Sequence, residues 1–366
     1  MRTQKRRTRL VLVVALASAL SSCVKAPEAS RHLQSPVAAI VLLATNELVV
    51  LTQDGRVSAR RRLGADALDV WAVQRRMALG PDGLLHVLLG RDVRSRPDRV
   101  AVVDPISLRQ VKSYELDHET TYRVLTPGPR TGQIRLLGNA GGDVVMALLG
   151  PKGVAHREVV RTDRDNDLRV FDAVLTGDEK RLFVGYHGAD STGADVVRLS
   201  PAGRQTCRAA PGVGCLPDVH GGMKVVGDLL YTATGSATRV DERNPDGRIR
   251  RRLNPRSGNN HLMAITADGH HLYALGSCGY AGGLTRVTLS TGETTELSSR
   301  PENEICGEQL TLNRSGNALA VLSLPRPVPQ TGRTSGSAVL FVDPKTGRVT
   351  GRGTLDADPL DVVPLD

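Results

Sequence analysis

The sequence predicts an all-β fold in which seven blades of four antiparallel strands close into a ring, the architecture of a β-propeller. Strand-turn-strand units recur about every 45 to 55 residues along the chain. A segment near the front, residues 63–70, is repeated at residues 355–362, and the matched residues Asp69 and Asp361 lie 292 positions apart, or six intervals of about 49. A strand repeated at both ends of such an array is what a closed ring requires.

Each repeat contains an outer hairpin with an apolar strand, a turn rich in Asp, Pro, Gly or Thr, and a more polar strand. The seven outer hairpins span residues 48–63, 100–116, 144–160, 196–207, 240–253, 284–297 and 339–355. Several copies are preceded by an inner hairpin, at residues 77–87, 174–184, 263–273 and 310–320. Two hairpins per repeat give four antiparallel strands per blade.

The first repeat supplies three strands, at residues 38–44, 48–52 and 57–62, and lacks an innermost one. Residues 361–365 are predicted to supply it. This pairing of the two ends of the array would close the ring, and residues 37–366 are predicted to form one seven-bladed domain.

The first residues are typical of an export signal. Five basic residues precede Leu10, and residues 10–20 form an apolar run without a charge. Eleven residues are too few for a membrane-spanning helix, which needs about 20. We therefore expect residues 1–22 to be a signal peptide.

The signal ends in Leu20-Ser21-Ser22-Cys23, which resembles the lipobox of bacterial lipoproteins. The resemblance implies cleavage before Cys23, attachment of a diacylglycerol to its thiol and acylation (palmitate) of the new amino terminus. It implies a chain anchored to the cell membrane by lipid and facing outside the cytoplasm, with residues 23–36 as a lipidated tether. The alternative is an ordinary cleaved signal with a chance cysteine.

Charge gives little indication of a partner. The formal net charge of +10 falls to +5 without residues 1–22, which carry five basic and no acidic residues. Arginine clusters at residues 60–62 and 248–252 have no interleaved aromatic residues. We expect them on solvated outer strands, where charge discourages strand-to-strand aggregation, and we expect no nucleic-acid partner.

Four further cysteines suggest disulfide bonds in an exported chain. Three pairings are open, and we favour Cys207 with Cys215 and Cys278 with Cys306 because each pair joins neighbouring loops. Neither pair has the Cys-x2-Cys spacing of a zinc site.

Residues 102–108 (Val-Val-Asp-Pro-Ile-Ser-Leu) and 341–347 (Phe-Val-Asp-Pro-Lys-Thr-Gly) have an apolar strand ending in Asp and then a turn. This pattern resembles the Tyr-Val-Thr-Asn-type, quinoprotein-like and WD40-like seven-bladed propellers of bacterial exported proteins. The Tyr-Val-Thr-Asn string itself and the Trp-Asp dipeptide are absent from the sequence. The resemblance implies the fold and no particular activity.

Ligands usually bind propellers on the face where the loops between blades surround the channel, and polar residues of blades four to seven fall there. The candidate ligand or metal residues are His187, Asp190, Asp218, His220, His261 and Glu304. Three histidines near one channel could hold a divalent metal or transfer protons. The alternative is that each histidine hydrogen-bonds the backbone of a neighbouring blade and that the acidic loop is simply solvated.

The sequence contains no phosphate-binding Gly-x4-Gly-Lys, no His-Glu-x2-His and no Gly-x-Ser-x-Gly motif. We therefore expect a non-catalytic binding or assembly module, monomeric, with a protein or small-molecule ligand on the channel face and no required cofactor. The alternative is a metal-assisted hydrolase or lyase at the channel mouth, which would retain a divalent metal. A quinone-linked dehydrogenase is disfavoured because one Trp, six Tyr and three Phe leave little to stack on a flat cofactor.

Overall fold

The fold is known from a computed structural model. It describes residues 37–64, 75–90, 98–162, 168–187, 192–199, 204–205, 216–217, 219–234, 239–255, 262–276, 283–298, 305, 307–323 and 336–365. These residues are strands, turns and connections with no helix among them, and they belong to one compact unit, Ser35–Asp366. Cys23 and the predicted signal lie outside the described residues.

The strands form seven antiparallel sheets, which confirms the predicted all-β, seven-bladed propeller. Blade 1 is β1 (Val37–Leu43), β2 (Glu47–Thr52), β3 (Val57–Arg62) and β29 (Pro359–Pro364). Blade 2 is β4 (Met77–Leu79), β5 (Leu85–Leu89), β6 (Arg99–Val103) and β7 (Gln110–Glu115). Blade 3 is β8 (Thr121–Pro127), β9 (Ile134–Ala140), β10 (Asp143–Gly150) and β11 (Gly153–Thr162).

Blade 4 carries one additional short strand, β16, which pairs with β14. Its strands are β12 (Arg169–Leu175), β13 (Arg181–His187), β14 (Thr192–Arg198), β15 (Arg204–Gln205) and β16 (Leu216–Pro217). Blade 5 is β17 (Val219–Val226), β18 (Leu229–Thr234), β19 (Arg239–Arg243) and β20 (Ile249–Leu253). Blade 6 is β21 (Leu262–Ala267), β22 (His271–Gly276), β23 (Leu284–Thr288) and β24 (Thr294–Ser298). Blade 7 is β25 (Gln309–Leu312), β26 (Leu319–Ser323), β27 (Ala338–Val342) and β28 (Val349–Thr354).

The core consists of apolar layers between neighbouring blades. Ile40 and Leu48 of blade 1, for example, are fully buried against Leu85 and Ala101 of blade 2. The middle strands of a blade have a neighbour on both faces, so they are continuous apolar runs such as Ala-Val-Leu-Phe-Val in β27, all buried. Outer strand β3, by contrast, is exposed along its whole length.

The predicted ring closure is confirmed. Strand β29 pairs antiparallel with β1, with Val362 opposite Val41 and Val363 opposite Ile40. Leu360 and Val362 are each 1% exposed. The last described residue, Leu365, donates its backbone N–H to the carbonyl of Ala38 at 2.8 Å. The innermost strand of blade 1 therefore comes from the opposite end of the chain.

The glycine turn between β2 and β3 makes a close contact between blades. Gly55, between β2 and β3, has φ +85°, and a Cβ placed on it would lie 2.2 Å from the carbonyl carbon and oxygen of Arg352 in blade 7. The turn thus sits against the outer strand of the neighbouring blade at a separation that only glycine permits.

Candidate binding site in the central channel

A cavity of about 340 Å³ lies in the channel. All seven innermost strands contribute to its wall, and one residue from each is Met77, Leu125, Asp172, Lys224, Thr266, Gln309 and Asp361. His187, at the end of β13, and Arg75, two residues before β4, also line it. The ring therefore brings residues far apart in sequence to one small space.

Asp361 is the most buried acid of the wall, at 1% exposure. Its carboxylate accepts hydrogen bonds from the backbone amides of Arg76 (2.7 Å) and Met77 (2.6 Å) in blade 2. It also accepts from the side-chain amide of Gln309 and from its neighbour Val362 N. Burial raises the pKa of this carboxyl to about 6, although all four donors favour the ionised form. Asp361 thus joins blades 7, 1 and 2 at the channel.

Asp172, on β12, makes the same kind of link between blades 4 and 5. Its carboxylate accepts from Met223 N of β17 and from Ala173 N, both at 2.8 Å. Gly222, immediately before Met223, has φ +95°. A Cβ there would find ordinary contacts, 3.7 Å or more from its neighbours, so it is the backbone conformation that favours glycine at this position. That conformation accompanies the irregular pairing between Val219 and Met223.

Arg75 crosses the channel. It belongs to blade 2, yet its Nε lies 3.1 Å from Asp172 Oδ1 in blade 4. Its Nη2 donates to the carbonyl oxygen of Met223 in blade 5 at 3.3 Å. The Asp172 side chain is 6% exposed, so a guanidinium neutralises a carboxylate that is nearly removed from water.

Lys224 follows Met223 on β17 and is partly exposed. Burial, and to a smaller extent the positive charge of Arg75, together lower the pKa of its amine to about 8, while Asp172 opposes the change. No hydrogen bond or ion pair of this amine is found within the described residues. The channel wall therefore holds an amine that changes charge just above neutral pH.

His187 stacks on Phe171 of the adjacent strand β12, with ring centroids 4.2 Å apart and an interplanar angle of 22°. The stacked pair forms part of the cavity wall. This gives the cavity one flat apolar surface beside its charged groups.

The sequence-predicted site residues divide into two groups. The structure places His187 in the channel wall and His220 on β17. Asp190, Asp218, His261 and Glu304 lie outside the described residues, as do the four cysteines of the predicted disulfides, Cys207, Cys215, Cys278 and Cys306. Within the described ranges, no group of three or more His, Cys, Asp or Glu side chains is arranged to hold a metal ion.

Sequence reasoning missed Arg75, Asp172, Lys224, Gln309 and Asp361 as channel residues. Asp172 and Asp361 did carry a signal, because each interrupts an apolar strand, in Val-Phe-Asp-Ala-Val and Pro-Leu-Asp-Val-Val. A buried acid in such a strand needs donors, and the next blade supplies them. Arg75 carried no such signal, since it precedes a strand and acts across the ring.

No family model and no curated protein matches this chain. Solved structures do match it. A provisionally assigned 6-phosphogluconolactonase from Bacteroides uniformis has a TM-score of 0.59 at 15% identity, over 90% of this chain and all of the other (100%). The periplasmic gluconolactonase of Pseudomonas aeruginosa has a TM-score of 0.55 at 19% identity, over 90% and 99%. A β-propeller domain from Myceliophteria thermophila has a TM-score of 0.54 at 11% identity, over 82% and 96%.

Among the described residues there is no helix that is both long and apolar enough to cross a membrane. The identities to the matched structures are low, so the likeness concerns the fold alone. With the sheet topology it leads to one conclusion: the chain has the fold of a seven-bladed β-propeller.

Proposed function

We propose that the protein is an exported, lipid-anchored β-propeller that binds a small polar molecule in its channel and acts as a binding module rather than as an enzyme. The observation that carries this proposal is the channel cavity. Its volume of about 340 Å³ is at the lower end of the usual range for small-molecule sites. Its wall combines charged side chains with the apolar Phe171–His187 stack, a mixture typical of such sites.

The binding proposal predicts that filling the channel abolishes binding. Thr311 lies on β25, lines the cavity and is partly exposed, so Thr311→Trp would occupy the cavity volume. A panel of sugar acids, polyols, amino acids and phosphomonoesters is screened by thermal shift against the full chain in detergent. We expect at least one compound, at a concentration well above its Kd, to raise the Tm of the unmodified protein by about 2 °C or more and that of Thr311→Trp by none.

Thr291→Trp is the matched control, since Thr291 is exposed on an outer turn of blade 6, and it should bind like the unmodified protein. If no compound raises the Tm, or if Thr311→Trp responds equally, the channel is not the binding site.

The same screen separates binding from the second candidate, hydrolysis of a sugar lactone. Two of the matched structures are named as lactonases, and His187, Glu308 and Lys224 supply possible proton-transfer groups in one cavity. Gluconolactone is therefore included in the panel, and acid release is followed in a pH-stat. If acid is released faster than the spontaneous rate, and if Thr311→Trp loses this activity, the protein is a hydrolase and not a binding module.

The anchoring proposal depends on Cys23 and predicts loss of membrane attachment in Cys23→Ser. The support is the Leu20-Ser21-Ser22-Cys23 sequence after an apolar run, and two or more acyl chains would give stable attachment. We expect the unmodified chain, produced in a bacterial host, to incorporate an alkyne-labelled fatty acid and to sediment with membranes. Cys23→Ser should do neither, whereas Ser21→Ala should do both; a labelled Cys23→Ser protein would contradict the proposal.

A further inference from the structure

Lys224 is the one lysine among the described residues that line the cavity, and its ammonium has three N–H donors. No hydrogen-bond acceptor or ion-pair partner for it is found among the described residues. Lys224 is only partly exposed, and a charged group with reduced access to water is costly unless it is paired. An amine kept in this position is therefore expected to gain its partner from a ligand.

The neighbouring charges do not supply that partner. Asp172 lies near enough to act on Lys224, but its two oxygens already accept from two backbone amides and contact Arg75 Nε at 3.1 Å. Arg75 adds a second positive charge close to the first. Around Lys224 there are thus two cations and one carboxylate that is already engaged.

From this we infer that Lys224, with Arg75 beside it, binds the anionic group of a small molecule, a carboxylate or a phosphate. The inference rests on the proposed binding function and names the class of ligand. An anion would neutralise the excess positive charge and accept hydrogen bonds from the Lys224 ammonium. Elsewhere in the cavity Gln309, Thr266 and Thr311 provide uncharged polar groups, which suit the hydroxyls of a hydroxylated acid.

Binding should depend on pH in a defined direction. The pKa of Lys224 lies near 8, and only the protonated amine attracts an anion, so affinity should fall as the pH rises from 7 to 9. The other titratable groups facing the cavity are Asp172, Glu308, Asp361 and His187, and a variant at His187 separates its contribution.

The experiment is isothermal titration of the full chain in detergent with D-gluconate, with inorganic phosphate and with the uncharged polyol sorbitol. We expect Lys224→Met to bind the preferred anion about tenfold or more weakly at pH 7, equivalent to losing one charge-assisted contact. Lys224→Arg should stay within about threefold of the unmodified protein and should lose the decline between pH 7 and pH 9, because arginine does not deprotonate there.

Two control variants test whether the effects are specific to Lys224. Lys152→Met removes an exposed lysine from the turn between β10 and β11 and should change nothing, and His187→Gln should keep the pH dependence. Lys224→Met should unfold at the same or a higher temperature, because it removes a charge from a poorly solvated position. Weaker binding could then not be attributed to misfolding.

Comparison of the two anions shows whether the ligand carries a carboxylate or a phosphate. Binding of gluconate alone identifies a carboxylate ligand, and binding of phosphate identifies a phosphorylated one. The inference fails if neither anion binds at concentrations up to about 10 mM, a limit that corresponds to about 3 kcal/mol of binding free energy. It fails equally if Lys224→Met binds as well as the unmodified protein; sorbitol binding that Thr311→Trp blocks would then still support the proposed function.

Discussion

Removal of residues 359–366 should destroy the cooperative fold. The deletion removes β29, and with it Leu360 and Val362, whose burial contributes about 1.5 to 3 kcal/mol each. It also leaves the amides of Arg76 and Met77 without their acceptor Asp361, at about 1 to 3 kcal/mol for each buried unsatisfied group. The sum, above about 5 kcal/mol, approaches the whole stability of a typical domain.

Thermal unfolding followed by circular dichroism measures this effect. We expect the truncated protein to lack a sharp transition or to unfold at least about 10 °C lower than the full chain. The uncovered edge of β1 is apolar and unpaired, so aggregation is also expected. Deletion of Asp366 alone is the control and should leave the Tm unchanged. A truncated protein that keeps its Tm would show that β29 does not hold the ring together.

A circular permutant separates loss of the strand from loss of its position in the chain. Leu365 N lies 2.8 Å from the Ala38 carbonyl oxygen, so a short turn can join residue 365 to residue 37 and make β29 and β1 an ordinary hairpin. The permutant begins at residue 359 and ends at residue 358, and should regain most of the Tm. If it fails to fold, the effect of the deletion cannot be assigned to the missing strand alone.

The sequence was sufficient to predict the ring because the features that indicate the ring are short, local sequence patterns. Asp-Gly and Asp-Pro turns fix where hairpins reverse, and the apolar runs between them fix which strands lie between blades. The repeat of Leu-Asp-Val at residues 68–70 and 360–362 then pointed to closure. Each of these segments is shorter than about 15 residues, a length over which periodicity can be recognised directly, although the two copies of Leu-Asp-Val lie 292 positions apart.

The channel site was not predictable in the same way. Lys224 stands in Met-Lys-Val-Val, a pattern that normally leaves lysine on a solvated edge. Its position next to Arg75 depends on the relative placement of blades 2, 4 and 5, which no local sequence pattern specifies. His187 was found from sequence because it ends an apolar strand just before a polar stretch of sequence, which is a local feature.

Substitution of Gly55 by alanine should destabilise the protein more than the same substitution in the Asp-Gly turn of blade 2. Gly55 adopts φ +85°, and a left-handed conformation costs a non-glycine residue about 1 to 2 kcal/mol. The new Cβ would also lie 2.2 Å from the Arg352 carbonyl. Backbone cannot move aside as a flexible side chain can, so overpacking adds about 1 to 3 kcal/mol or more.

Gly83→Ala, in that turn of blade 2, isolates the contact between blades. Gly83 also follows an aspartate in a turn between two strands and has φ +76°, but a Cβ there meets nothing within 4 Å. Both variants share the conformational cost, so urea unfolding should place Gly55→Ala at least about 1 kcal/mol below Gly83→Ala. Equal losses would mean that the turn of blade 1 can separate from blade 7 without weakening the ring. A larger loss at Gly55 alone would mean that the packing of this turn, together with the pairing of β29, determines how firmly blade 1 is held.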